Sequence, residues 1–184
     1  YIDGAVGLGS RRLSIIGLQD GHMPMCTEEQ DLWIAYNGEL YNHPQLKNEL
    51  SAKGHRYRTQ SDTETFLHLY REYGEDFLAH TRGMFGLALW DKRQQKLILA
   101  RDRIGIKPLY YQIDQQAIRF ASEIKSMFCD PEVPREIDPV GLNFFMGYLS
   151  VPAPYSMLKG IQKLCPGEML IYQEGNSQTR MYWQ

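Results

Sequence analysis

The sequence predicts an α/β or α+β layered fold with largely antiparallel sheets. Three observations carry that reading. Short apolar runs of strand length come in pairs broken by polar turn residues. Segments of helical periodicity lie between and after them. A Rossmann sheet is disfavoured, because Gly7-Leu8-Gly9 lacks a third glycine at the right spacing and no acidic ribose partner follows. A chain of 184 residues suits one domain, or one domain with a short trailing segment.

The first readable strand is Ala5–Leu8 and the second Leu13–Leu18. Leu32–Tyr36 is a third, ending at the turn signal Asn37-Gly38. A helix follows over Pro44–Lys53: Asn42 can cap it, Pro44 sits near its first turn, Leu46 and Leu50 share a face, and Gly54 stops it. Ser61-Asp62-Thr63-Glu64 is a capping-box pattern. Behind it Phe66, Leu69, Tyr70 and Tyr73 recur at helical spacing up to Gly74. Met84–Trp90, Lys96–Ala100, Leu109–Ile113 and Ala117–Ala121 read as a meander of antiparallel strands. Ser122-Glu123 opens a short helix through Met127. Asp138-Pro139 opens another, carrying Leu142, Phe145, Met146 and Leu149. Val151–Tyr155, with two prolines, reads as an extended loop, and Glu168–Tyr172 as a last strand. The tail Gln173–Gln184 is polar except for Met181-Tyr182-Trp183.

Composition excludes several classes. Hydrophobic residues make up 43% and charged residues 23%, which is globular and not disordered, collagenous or fibrous. With 20 Lys+Arg against 22 Asp+Glu the net charge is −2, without the basic excess of a phosphate-neutralising protein, so no nucleic-acid partner is expected. No apolar run approaches a membrane span, and no signal peptide opens the chain. Cys26, Cys129 and Cys165 form no CxxC pair, which leaves zinc ribbons, redox pairs and disulfide scaffolds unsupported and suits a reducing, cytoplasmic setting. The five histidines show no metal-ligand spacing, and no metal is expected. No GxxxxGK[ST] phosphate loop exists.

Four motifs could carry chemistry. In Asn37-Gly38 an amide side chain and the next backbone N–H can point at one spot, as in an oxyanion hole, although Asn-Gly is also the commonest hairpin turn. Arg12, opening an apolar strand, can hold a carboxylate through two parallel bonds, or can be an exposed strand-end charge. Asp62, in the first turn of a helix, suits the helix dipole, or recognition of an ammonium group. The alternating charges of Arg101-Asp102-Arg103 can be an ion-paired loop or an anion site, and the loop is preferred.

Arg12-Leu13-Ser14-Ile15, Asn37-Gly38-Glu39-Leu40-Tyr41-Asn42, Ser61-Asp62-Thr63-Glu64, Arg82-Gly83-Met84-Phe85, Ala100–Tyr111 and Phe120-Ala121-Ser122-Glu123-Ile124-Lys125 occur in this order. Together they resemble the glutaminase domain of class II glutamine amidotransferases, most of all that of glutamine-hydrolysing asparagine synthetases. The likeness covers nearly the whole chain; Leu149–Pro154 and Leu164–Glu168 resemble the bridge to that family's synthetase half. The resemblance implies an Ntn-hydrolase fold, an α+β four-layer αββα sandwich with two stacked antiparallel sheets. It implies that Arg12 binds the α-carboxylate of glutamine, that the Ile15-Ile16 backbone lines the pocket, and that Asp62 holds the α-amino group with help from Glu39. The Asn37 side chain and Gly38 N–H would form the oxyanion hole.

The family's nucleophile is an N-terminal cysteine whose own α-amino group, with a pKa of roughly 7.7–8.0, serves as base. This sequence opens with Tyr1, and none of its three cysteines stands in the nucleophile's place. Two expectations follow: a sequence that is a piece of a competent amidotransferase, which we favour, or a glutamine-binding or scaffolding module without a nucleophile. An amidohydrolase for another amide is a third reading, disfavoured because Arg12 with Asp62 fits both ends of a free amino acid. Residues 1–172 are expected to be the amidotransferase domain and 173–184 the start of a connection to a synthetase domain. No cofactor is expected in this chain; ATP and Mg belong to the synthetase half. The expected partners are glutamine and that half, and a homodimer is compatible with the sequence.

Overall fold

A computed structural model describes residues 1–10 and 22–184. The chain opens in a small hairpin, β1 (Ile2–Asp3) against β2 (Val6–Gly7). Gly4 turns it at a φ of +56°, a conformation that costs glycine little. The strand read at Ala5–Leu8 is β2, and the sequence reading missed its partner β1, which a single glycine turns back onto it. The strand expected at Leu13–Leu18 lies outside the described residues.

Six antiparallel strands form the main sheet, in the order β11 (Asn176–Met181), β10 (Glu168–Gln173), β6 (Lys96–Arg101), β5 (Gly83–Asp91), β4 (Leu32–Leu40) and β3 (Met25–Cys26). A second sheet has three strands, β8 (Ile118–Ala121), β7 (Tyr110–Ile113) and β9 (Gln162–Lys163). The expected meander is thus split: β5 and β6 pair in one sheet, β7 and β8 in the other. The Arg101–Lys107 segment between them leaves the first sheet instead of turning back on it.

Strand alternation sorts the core. On the main sheet Ile34, Tyr36, Phe85, Leu87, Leu89, Ile98 and Met169 face one way. They meet Leu46 and Leu50 of α1 (His43–Ala52), Phe66 and Leu69 of α2 (Asp62–Tyr73), and Phe77 of the 3₁₀ segment Gly74–His80. The residues between them, Trp33, Ala88, Trp90, Leu97, Leu99 and Leu170, face Tyr111, Ile113, Ile118 and Phe120 of the second sheet. Behind that sheet Tyr110 and Ala121 pack on Ile124 and Met127 of α3 (Ile124–Met127), with Val133 and Ile161. Helices, sheet, sheet and helix therefore stack in four layers, the Ntn-type arrangement. Each fully buried Leu or Phe in the two inner layers contributes roughly 1.5–3 kcal/mol.

Several local expectations change. Asn42 does not cap α1 with its side chain. Its amide instead clamps the segment before β5, accepting from Arg82 N–H at 2.9 Å and donating to the His80 carbonyl at 2.9 Å. The capping box at α2 is half made. Ser61 Oγ accepts from Thr63 N–H, but Glu64 turns to the Arg58 and Thr59 amides. α4 (Pro139–Tyr148) is capped by Asp138 as read, accepting from Val140 and Gly141 N–H. Its Phe145, Met146 and Tyr148 are exposed, and only Gly141 is buried, with its Cα against Ser156. The polar tail is strand β11, a hairpin partner of β10 turned at Gly175 (φ +77°). As an exposed edge strand it needs no apolar alternation, so composition hid it.

Arg101-Asp102 is neither an ion-paired loop nor an anion site. Arg101 donates to the carbonyls of Lys107, Gly105 and Leu164 at 2.6–2.8 Å. Asp102, fully buried, accepts from the amides of Phe85, Ile104, Ile106 and Lys107 at 2.9–3.3 Å. Both charges are spent on the backbone that joins the two sheets. No helix among the described residues is long and apolar enough to cross a membrane.

Candidate active site

Strand β4 carries the Asn-Gly pair in its body and not at its end. Asn37 pairs with Gly86 and Gly38 with Phe85, so the hairpin-turn alternative is excluded. The ladder fixes which groups face out. The Leu32 carbonyl accepts from Thr27 on the β3 side, and Tyr41 N–H donates to Arg82 on the β5 side. Even-numbered residues of β4 therefore turn their N–H groups to the outer edge and odd-numbered ones toward β5. Among the described residues, strand pairing on that outer edge stops at Ile34. Gly38 N–H faces this edge, beyond the last described pairing.

Gly38 is there for space. A Cβ on it would lie 2.0 Å from the Met84 carbonyl oxygen and 2.7 Å from Phe85 Cα. Phe85 directs its own N–H and C=O away, to Asp102. Gly38 and Phe85 thus form the close, non-hydrogen-bonded kind of antiparallel pair. Asn37 is exposed, and its side chain makes no hydrogen bond among the described residues. Glu39 is exposed two positions on, on the same strand face as Asn37.

Asp62 reaches this edge from the first turn of α2. Its Oδ2 accepts from Leu40 N–H at 2.8 Å and from Tyr36 OH at 3.0 Å. Leu40 N–H is the next outward amide after Gly38 N–H, roughly 6.6 Å along the strand. An amide donor and a carboxylate therefore face the same edge. That separation is comparable to the ~5 Å between the ammonium and the amide carbon of an extended glutamine, four bonds long. Beside them His43 Nδ1 lies 2.7 Å from Thr65 Oγ1. Burial pushes the His43 imidazole below its ordinary pKa, with the Asp62 carboxylate opposing.

The structure thus puts Gly38 N–H and the Asp62 carboxylate on one edge of β4, with the Asn37 and Glu39 side chains on the strand face opposite Tyr36. Arg12, Ile15 and Ile16 lie outside the described residues. Sequence reasoning missed Tyr36 and the Leu40 amide, which meet Asp62 across 26 and 22 residues of chain. Only the alternation of β4, which puts Tyr36 on the helix side with Ile34, pointed that way. Among the described residues no three His, Cys, Asp or Glu side chains gather as metal ligands.

A separate cleft of about 230 Å³ lies between β3 and α2 and contains none of these residues. Its arginine Arg71 is engaged by Glu29 and Asp31. Its buried carboxylate, Glu64, accepts from Arg58 N–H, Thr59 N–H and Thr59 OH at 2.7–2.8 Å. Burial alone would raise the Glu64 pKa. The nearby His68 ring and these donors outweigh it and hold it at about 2, below its ordinary 4.5. The folded state therefore binds this proton more weakly than the unfolded chain. The stabilisation, on the order of 3 kcal/mol, is complete above about pH 4.5 and lost as pH falls toward 2. Glu64→Gln is expected to lower stability by about 2 kcal/mol at pH 7, with the gap closing below pH 3, as read from urea midpoints. An equal gap at both pH values would remove the charge from the explanation.

Comparison with known proteins adds four results. The glutamine amidotransferase domain family matches residues 1–183. Asparagine synthetase [glutamine-hydrolyzing] 1 of Bacillus subtilis is 40% identical over all of this chain, which spans 29% of that protein. Amidase chry2 of Gibberella zeae is 45% identical over 66% of the chain and 18% of its own length. Among solved structures, glutamine phosphoribosylpyrophosphate amidotransferase from B. subtilis superposes with a TM-score of 0.59 at 23% identity. That match covers 86% of this chain and 30% of the enzyme, and speaks for the fold.

Proposed function

The chain belongs to the glutamine amidotransferase domain family, and from that premise we propose that its parent protein hydrolyses glutamine to glutamate and ammonia. It is homologous to the glutaminase domain of glutamine-hydrolysing asparagine synthetases. It spans under a third of those relatives, so the acceptor chemistry is part of the proposal.

The observation that carries the reading is the outer edge of β4, unpaired beyond Ile34 among the described residues, with an amide donor at Gly38 and the Asp62 carboxylate one outward position on. In the proposed reaction a cysteine thiolate, supplied by a segment preceding Tyr1, attacks the side-chain amide carbon of glutamine. The Asn37 amide and Gly38 N–H take the developing oxyanion, which is where fixed donors matter most. The C–N bond breaks, ammonia leaves with the proton the base has taken, and water then releases glutamate from the thioester. Asp62 and Glu39 hold the ammonium; Arg12 holds the α-carboxylate, against the Ile15-Ile16 backbone. The step needs no cofactor. ATP and Mg would act in a downstream synthetase domain, where ammonia meets an activated aspartate or another acyl acceptor. Because β11 continues the main sheet to Met181, the connection to that domain would start after β11 and not at residue 173. A cytoplasmic homodimer fits this reading.

The second reading is a glutamine-binding or scaffolding module without a nucleophile. The full-length protein separates the two. Intact mass with N-terminal sequencing finds residue one, and a glutaminase assay follows. Asn37→Ala is expected to fold normally, since the side chain bonds nothing among the described residues, and to lower kcat about 100-fold. Arg12→Ala should raise the glutamine KM steeply. A native protein without a leading cysteine, or an unchanged kcat in Asn37→Ala, would end the thioester mechanism. An unchanged KM in Arg12→Ala would favour another amide as substrate.

A further inference from the structure

We propose that Tyr36 is the positioning residue that sets the α-amino specificity of this site, an inference that rests on the glutaminase reading above. Asp62 is the group expected to meet the ammonium, yet its carboxylate stands at a helix terminus, where a side chain of this kind can rotate. Two donors remove that freedom. Leu40 N–H and Tyr36 OH both bond Oδ2, at 2.8 and 3.0 Å, from different directions. Two donors on one oxygen fix the plane of the carboxylate. No described donor bonds Oδ1, so that oxygen is left for the ligand.

The tyrosine itself is held rigidly. It is 7% exposed, and its ring packs on Phe66 of α2 with centroids 5.1 Å apart. Tyr36 also immediately precedes Asn37 and Gly38 on the same strand. One residue therefore ties the position of the ammonium anchor to that of the oxyanion donors. A substrate bound at both ends is then presented with its amide carbon at a fixed distance from the donors. The hydroxyl does not touch the reacting atoms, so its effect is carried through Asp62. Phenylalanine would keep the ring packing on Phe66 and remove the hydroxyl that bonds the carboxylate.

The experiment uses the full-length protein and two amides: L-glutamine, and glutaramic acid, which has the same amide and carboxylate but no α-amino group. Tyr36→Phe is expected to raise the KM for glutamine about tenfold, the size of one hydrogen bond to a charged group. The kcat should stay within twofold, and kcat/KM for glutaramic acid should not change. Thermal melts of both proteins check that the fold is intact. A merely structural tyrosine would weaken both amides together, and that outcome overturns the proposal, as does an unchanged glutamine KM. Asp62→Asn with Tyr36→Phe supplies an independent reading. The tyrosine should matter little once the carboxylate is gone, and full additivity would show that Tyr36 acts elsewhere. If the wild-type protein neither binds nor hydrolyses glutamine, the functional reading fails first and the specificity role of Tyr36 fails with it.

Discussion

Replacing Asp102 by asparagine is expected to lower stability by about 3–5 kcal/mol, the cost of breaking a buried charge from its partners. For a chain of this size that is a fall in Tm of roughly 8–16 °C. The carboxylate accepts four backbone N–H groups, two on each oxygen: Oδ1 serves Ile104 and Ile106, Oδ2 serves Phe85 and Lys107. An asparagine keeps one acceptor oxygen. Its NH₂ would then face two amides that are themselves donors, in a site with no exposed surface. The damage should not stay local. Asp102 extends β6 alongside Phe85, whose other side is the close pair with Gly38. Glutamine turnover in the full-length protein should therefore fall even below the melting range. Calorimetry and urea unfolding check the first part. A Tm shift under 3 °C would mean that buried water or a relaxed loop replaces the lost acceptor.

Gly38→Ala is expected to be the most damaging change at the site itself. The added methyl carbon would stand 2.0 Å from the Met84 carbonyl oxygen and within 2.8 Å of both Phe85 Cα and Cβ. None of those atoms is the end of a flexible side chain, so the two strands must separate. Overpacking of this kind costs about 3 kcal/mol or more. Separation also moves the outward Gly38 amide, the proposed oxyanion donor, and a misplacement of about 1 Å costs roughly 100-fold in rate. The contrast with Asn37→Ala is diagnostic. Asn37 is exposed and makes no side-chain hydrogen bond among the described residues, so its loss should cost rate and not stability; Gly38→Ala should cost both. If Gly38→Ala melts like wild type, β4 and β5 are looser than their register implies. The requirement for glycine would then rest on the ligand's approach alone.

Much of the fold was legible before any coordinates. α2 follows from Ser61, the spacing of Phe66, Leu69 and Tyr70, and Gly74, because a local cap, a period and a stop are all encoded within a dozen residues. The β5–β6 and β7–β8 pairs follow from apolar runs beside turn residues. The split of these pairs into two sheets did not, since apolar runs state that a strand is buried and not which face meets which layer. β11 was hidden because an edge strand with exposed side chains has the composition of a loop. β4 was read too short because Asn-Gly usually turns a chain. Here the glycine serves close strand approach, a requirement set by Phe85 from another part of the sequence.

The candidate site divides the same way. The residue types proposed to meet an amino acid amide, an amide-bearing Asn beside a glycine and a helix-opening aspartate, are properties of the sequence alone, as is the order of motifs that places the chain in its family. Their meeting is a property of the tertiary structure. Asp62 became an oriented anchor only when the β4 ladder turned Leu40 N–H outward and Tyr36 toward α2. Asp102 became the joint between sheets only when four separate amides converged on it. Local signals act over a few residues and survive in a one-dimensional reading. Hydrogen bonds that span 17 to 26 residues depend on strand register and helix placement, which the whole core sets together.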